Sequence, residues 1–158
     1  MPQSVEVGAP APSFTLPDTN NQSVSLESLR GRPVVLVFFP LAFSSVCTKE
    51  MCPFRDTMND LNQLNAQVVG VSVDSPFSLK QFAQQNNIEY PLLSDFNKQA
   101  ATTYGVLRED LLGLKGVANR SAFILDKDGI VRWKWVSEDP RVEPDYNEIQ
   151  SQLRALSA

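Results

Sequence analysis

The chain contains no histidine and only two cysteines in 158 residues. Without histidine there is no imidazole to carry the proton, as Cys–His and Ser–His hydrolases require. Two cysteines alone also fall short of the four Cys/His ligands of an ordinary zinc site, so no metal is expected. Nor do they make a secreted disulfide scaffold. Basic residues number 14 against 18 acidic ones, for a net charge of −4. That balance argues against a nucleic-acid partner, which wants a basic face. The seven glycines form no phosphate-cradling loop or flavin fingerprint, so no cofactor is implied. The apolar runs are far too short to span a bilayer, so no membrane partner is expected. The N-terminus lacks the basic–apolar–small pattern of a signal peptide, and a cytoplasmic protein is the expectation. Hydrophobic residues make up 42% of the chain, enough for one domain over residues 1–158 with a real core.

What is present is concentrated at one junction. Val34-Val35-Leu36-Val37-Phe38-Phe39 reads as a buried strand that stops at Pro40, and a helical pattern starts just after Cys47. Cys47 therefore stands where a strand ends and a helix begins. Unpaired backbone N–H groups and the positive end of the helix dipole favour an anion there. A thiolate is an anion, and a lowered thiol pKa makes a cysteine nucleophilic at neutral pH. Free cysteines often serve as small buried apolar residues. The strand–Pro–Ser-Ser–Cys–helix context favours redox or thiol-exchange chemistry instead.

Strands and helices alternate. Near-continuous apolar runs at 34–39 and 67–73 suit central strands covered on both faces. Runs at 121–126 and 130–136 flank Lys127-Asp128-Gly129, whose Asp-Gly is a hairpin signal. Helical stretches are expected at about 46–64, 76–87, 97–104 and 144–156. Pro76 and Pro144 suit the first turns of the second and the fourth. Ser23–Leu26 is a short edge strand at best. The result is an α/β protein with a mixed central sheet flanked by helices. In the first helix, Cys47, Met51, Phe54, Met58 and Leu61 recur at helical spacing and form one core-facing stripe. Cys52 lies off it, rotated about 140° from Cys47.

The neighbourhood of Cys47 resembles the peroxiredoxin family, whose motif is Pro, three residues, Thr or Ser, two residues, then the peroxide-attacking Cys. Here these are Pro40, Ser44 and Cys47. Asn119-Arg120-Ser121-Ala122-Phe123-Ile124-Leu125-Asp126 is similar to the family's late arginine before a strand. The likeness runs from Val7-Gly8-Ala9-Pro10 through Tyr90-Pro91-Leu92-Leu93 to Asp128-Gly129-Ile130-Val131. Pro40–Ser44 and Gly116–Arg120 look like the alkyl hydroperoxide reductase E branch. Cys47-Thr48-Lys49-Glu50-Met51-Cys52 looks like the Q-type (bacterioferritin comigratory) branch.

The resemblance implies a thioredoxin-like fold and a thiol-dependent, antioxidant peroxidase acting on hydrogen peroxide and organic hydroperoxides. Cys47 would become sulfenic acid. Ser44 would hydrogen-bond thiolate and peroxide, although a helix cap is its ordinary role. Arg120 would lower the thiol pKa and stabilise charge on the leaving oxygen. Pro40 would shield the sulfenic acid, and the backbone N–H groups of Val46 and Cys47 would complete the peroxide site. Glu50 resembles the glutamate that orients the arginine. Members are often dimers, and apolar Leu41-Ala42-Phe43 is a candidate homodimer contact.

Electrons must come from a thiol. Either Cys52 resolves the sulfenic acid as an intramolecular disulfide, or an external thiol does: thioredoxin, glutaredoxin or a low-molecular-weight thiol. Residues five apart in an intact helix are about 8–9 Å apart at Cα, whereas a disulfide wants less than about 7 Å. Bridging therefore requires unwinding, which Pro53 favours by weakening the helix beside Cys52. A thioredoxin-like disulfide reductase is the competing class, but it would want Cys-x-x-Cys, and here four residues separate the cysteines.

Overall fold

The computed structural model describes residues 5–42, 61, 63–111, 113–137, 139 and 142–157. Within them the strands are β1 (Thr15–Pro17), β2 (Ser23–Ser25), β3 (Val34–Phe38), β4 (Gln67–Ser72), β5 (Leu92–Ser94), β6 (Leu107–Arg108), β7 (Val117–Ala118), β8 (Arg120–Leu125) and β9 (Val131–Ser137). The α-helices are α1 (Pro76–Asn86), α2 (Gln99–Thr103) and α3 (Tyr146–Ser157), and a 3-10 turn spans Leu26–Leu29.

The central sheet has the order β5–β4–β3–β8–β9. β3 runs parallel to β4, and β4 to β5, while β8 is antiparallel to both β3 and β9. The expected mixed sheet is therefore present, with the parallel half on one side of β3 and the antiparallel half on the other.

All five residues of β3 are buried, as its unbroken apolar run requires. Alternation sends them into two cores. Leu36 and Phe38 join Val69, Val71, Phe123 and Leu125 under α2 and the β1–β2 hairpin. Phe38, Tyr104 and Phe123 meet there with ring centroids 5.4–5.9 Å apart, the spacing of favourable aromatic pairs. Val35, Val37 and Phe39 join Val68, Ala122 and Ile124 on the opposite face, beneath Leu79 and Phe82 of α1 and Ile149 and Leu153 of α3. Leu61 is packed in this second core at 1% exposure. It is the one described member of the stripe expected to run from Cys47.

Local chemistry sets the helix ends. Ser75 caps α1 by accepting the Ser78 N–H at 3.2 Å, with Pro76 in the first turn as expected. Pro144 departs from the expectation. Asp145 Oδ1 accepts the N–H groups of Asn147 and Glu148, so α3 starts at Tyr146 and Pro144 precedes its cap. α2 is shorter than expected because Lys98 sits at φ 63° ahead of it. Its N-terminal donors Ala100 and Ala101 are instead satisfied by the buried carboxylate of Asp95. Asp128-Gly129 makes the predicted turn between β8 and β9, with Gly129 at φ 81° and Asp126 Oδ1 accepting the N–H groups of Asp128 and Ile130. Ser23–Ser25 does form a strand, paired with Thr15–Pro17 in a hairpin separate from the central sheet. No helix among the described residues is long and apolar enough to cross a membrane.

Candidate active site

The site lies at the C-terminal end of β3, where the chain leaves the sheet between a parallel and an antiparallel neighbour. Open α/β sheets hold ligands in the crevice outside the carboxyl ends of their parallel strands. The register Phe38↔Ser121 brings the first residue of β8 to this end. Arg120 begins β8 and is 2% exposed. By strand alternation it shares the face of Ala122 and Ile124, the face covered by α1, α3 and Leu61. Pro40, also buried, stops β3 because it has no N–H to donate.

Pro40 and Arg120 line a common cleft with Arg108, Leu111, Ala118, Asn119 and Ser137, too tight to hold a water-sized sphere. Arg108 and Leu111 reach it from the β6–β7 ribbon, which is tied to the start of β8 by the Asn119 N–H bond to Val106 O at 2.7 Å. The side-chain Oδ1 of Asn119 is buried without a hydrogen-bond partner. A larger cavity of about 570 Å³, lined by Gly31, Pro33, Asp126 and Arg132 among others, lies at the opposite end of the sheet and contains none of the predicted site residues.

The structure thus brings together two of the predicted site residues, Pro40 and Arg120. Ser44, Val46, Cys47, Glu50, Cys52 and Pro53 lie outside the described residues. Leu41 and Ala42 are half-buried, and Phe43 lies outside the described residues.

Sequence reasoning missed an acid beside this loop. The Ala42 N–H donates to Asp74 Oδ2 at 2.7 Å. The Ser72 hydroxyl donates to the same oxygen at 2.7 Å, and Ser72 Oγ accepts the Asp74 N–H at 3.2 Å. The Ser94 hydroxyl donates to the Asp74 carbonyl at 2.6 Å. The available signal was Ser72-Val73-Asp74-Ser75, which places three polar residues at the carboxyl end of the apolar run 68–71.

The AhpC/TSA family profile matches residues 7–134, a span that includes both Pro40 and Arg120. Alkyl hydroperoxide reductase E of Mycobacterium bovis is 38% identical over 157 residues, covering 98% of this chain and 99% of that protein. Among solved structures, peroxidoxin BcpB of Mycobacterium tuberculosis superposes with a TM-score of 0.85 at 34% identity, covering 96% of this chain and 97% of that one. A peroxiredoxin-like protein of Aquifex aeolicus superposes at 0.88 with 28% identity, covering 98% and 89%. The sheet and its helices are those of the thioredoxin-like peroxiredoxins. The chain belongs to the AhpC/TSA family and is a thiol-dependent peroxidase.

Proposed function

We propose that the chain reduces hydrogen peroxide and organic hydroperoxides through the thiolate of Cys47. The observation that carries this reading is the burial of Arg120 beside Pro40 at the end of β3, the strand whose continuation leads to Cys47. A cation held in a poorly solvated cleft favours a thiolate over a thiol.

The step balances without a further reactant. Cys47 Sγ attacks one peroxide oxygen, an S–O bond forms, and the O–O bond breaks. The electron pair departs on the other oxygen, which takes a proton and leaves as water or an alcohol. Cys47 is oxidised to sulfenic acid. Arg120 stabilises the charge arriving on the leaving oxygen. Ser44 and the N–H groups of Val46 and Cys47 hold the peroxide, Glu50 orients Arg120, and Pro40 keeps water from the sulfenic acid. The Cys52 thiol then condenses with the sulfenic acid, releasing water and leaving a disulfide. A thiol reductant such as thioredoxin, glutaredoxin or a low-molecular-weight thiol returns the two electrons. The chain acts as one domain over residues 1–158 in the cytoplasm, where such thiols are kept reduced, and Leu41-Ala42-Phe43 contributes to a homodimer contact.

Peroxide consumption by the reduced protein tests the nucleophile. Cys47→Ser should abolish it, and Cys52→Ser should leave the first oxidation nearly unchanged. Sulfenic acid found first on Cys52 would reverse the roles. Reduction of insulin without peroxide consumption would move the chain to the disulfide reductases.

A further inference from the structure

We propose that Asp74 is a positioning residue for the peroxidase reaction, fastening the chain at Ala42, five residues before Cys47. The inference rests on the reading that Cys47 is the nucleophile.

After Phe38 the chain must turn out of the sheet. Phe39 still bonds to β4 through its N–H and Val71 O at 3.0 Å. Pro40 has no N–H to offer. Two residues later, the Ala42 N–H meets Asp74 Oδ2 at 2.7 Å, the short distance of a charge-assisted bond. The loop is thus held on the β4 side by one carboxylate, while on the β8 side Pro40 borders the cleft of Arg120.

Asp74 is itself held from two strands, its carboxylate by β4 and its backbone by β5. Ser72 and Ser94 are register partners at the ends of β4 and β5 and are 0% and 2% exposed. The Ser72 hydroxyl binds Asp74 Oδ2, and the Ser94 hydroxyl binds the Asp74 backbone carbonyl. Hydroxyls buried at these positions would be costly without partners. Both are spent on one half-buried aspartate whose side chain reaches across to the β3 loop. An aspartate that only capped its own turn would need no support from β5. Supporting groups of this kind fix a reacting side chain to within fractions of an ångström. Misplacing a reacting group by about 1 Å costs on the order of 10²-fold in rate.

The Ala42 N–H and the Ser72 hydroxyl donate to the same oxygen, so an asparagine carbonyl can replace it. In the full chain, Asp74→Ala should slow peroxide oxidation of Cys47 about tenfold or more, while alkylation of Cys47 by iodoacetamide, which needs a thiolate but no peroxide geometry, changes less than about threefold. Asp74→Asn should return oxidation to within about threefold of wild type by keeping the acceptor. Should Asp74→Ala fail to fold, Asp74→Glu decides: it keeps the charge but shifts the acceptor by one methylene, and oxidation should slow in a natively folded protein. Wild-type oxidation rates in Asp74→Ala or Asp74→Glu overturn the proposal, as do equal losses of oxidation and alkylation, or an Asp74→Asn no faster than Asp74→Ala. Peroxide consumption that survives Cys47→Ser is a different failure, of the nucleophile assignment, and is read in the same assay.

Discussion

Phe38 of β3 pairs with Ser121 of β8, and this register carries Arg120, one residue earlier, to the point where β3 ends at Pro40. A slip of one residue would turn Arg120 to the other face of the sheet, under α2 and away from Leu61. The position of the cation thus depends on the register of the whole sheet.

Arg120→Ala should slow peroxide oxidation of Cys47 by about 10²–10³-fold, the usual loss when a preorganised charged donor is removed. Arg120→Lys should recover part of it, because a lysine restores charge without the planar two-point donor. Stopped-flow oxidation and the pH profile of alkylation measure both. An alkylation profile identical in wild type and Arg120→Ala would show that Arg120 does not activate the thiol.

Non-reducing peptide mapping after one equivalent of peroxide should recover a linked Cys47–Cys52 peptide. Cys52→Ser should stall at sulfenic acid and turn over only with an added small thiol. Free Cys52 beside oxidised Cys47 would assign the second step to an external thiol.

Trp135 pairs with Ala122, two residues from Arg120 on the same sheet face, whereas Trp133 pairs with Ile124 one step farther away. Both indoles pack against the core that covers Arg120. Oxidation of Cys47 should therefore change fluorescence mainly through Trp135. Trp135→Phe should remove most of the signal and Trp133→Phe should keep most of it. The opposite pattern would disconnect Trp135 from the site.

The β8–β9 turn gives the protein an acid-sensitive contact far from the cleft. Burial pushes the Asp126 carboxyl up, but the N–H of Ile130, the Arg132 guanidinium and the N–H of Asp128 outweigh it, and the carboxyl lies below its ordinary 3.8. Arg132 Nε meets it at 2.8 Å. A carboxyl depressed on folding contributes stability that is fully present above its unfolded value and is lost as pH falls through the folded one. Urea midpoints should therefore drop as pH goes below about 4, and Asp126→Asn should flatten that dependence while lowering stability at neutral pH. Parallel curves for the two proteins would remove Asp126 from the acid response.

The strands carrying the site were legible because they are unbroken apolar runs: β3 and β4 match their expected spans to within a residue. Pro40 could be read because a proline ends a ladder, and the β8–β9 turn because Asp-Gly prefers it. The short strands were not legible. β5, β6 and β7 have two or three residues each, too few to show a period, and exist because longer elements hold them in place. The span of α2 followed Asp95, a side chain outside the helix. Arg120 illustrates the limit for the site. Its residue type suggested only an exposed cation, the family likeness suggested a role, and pairing across β3 buried it. Asp74 escaped notice because its partners, Ala42 and Ser94, come from other segments of the chain.

The placement of Arg120 on the antiparallel side of β3 has a consequence for the protein during its synthesis. β3, which precedes Cys47 in the chain, leaves the ribosome well before β8, which carries Arg120. A nascent chain that has exposed β3, β4 and α1 already holds Cys47 but not Arg120, and the antiparallel edge of β3 stays open until residues 120–125 arrive. On the proposed roles, the contribution of Arg120 to thiol reactivity is therefore absent until β8 has paired with β3.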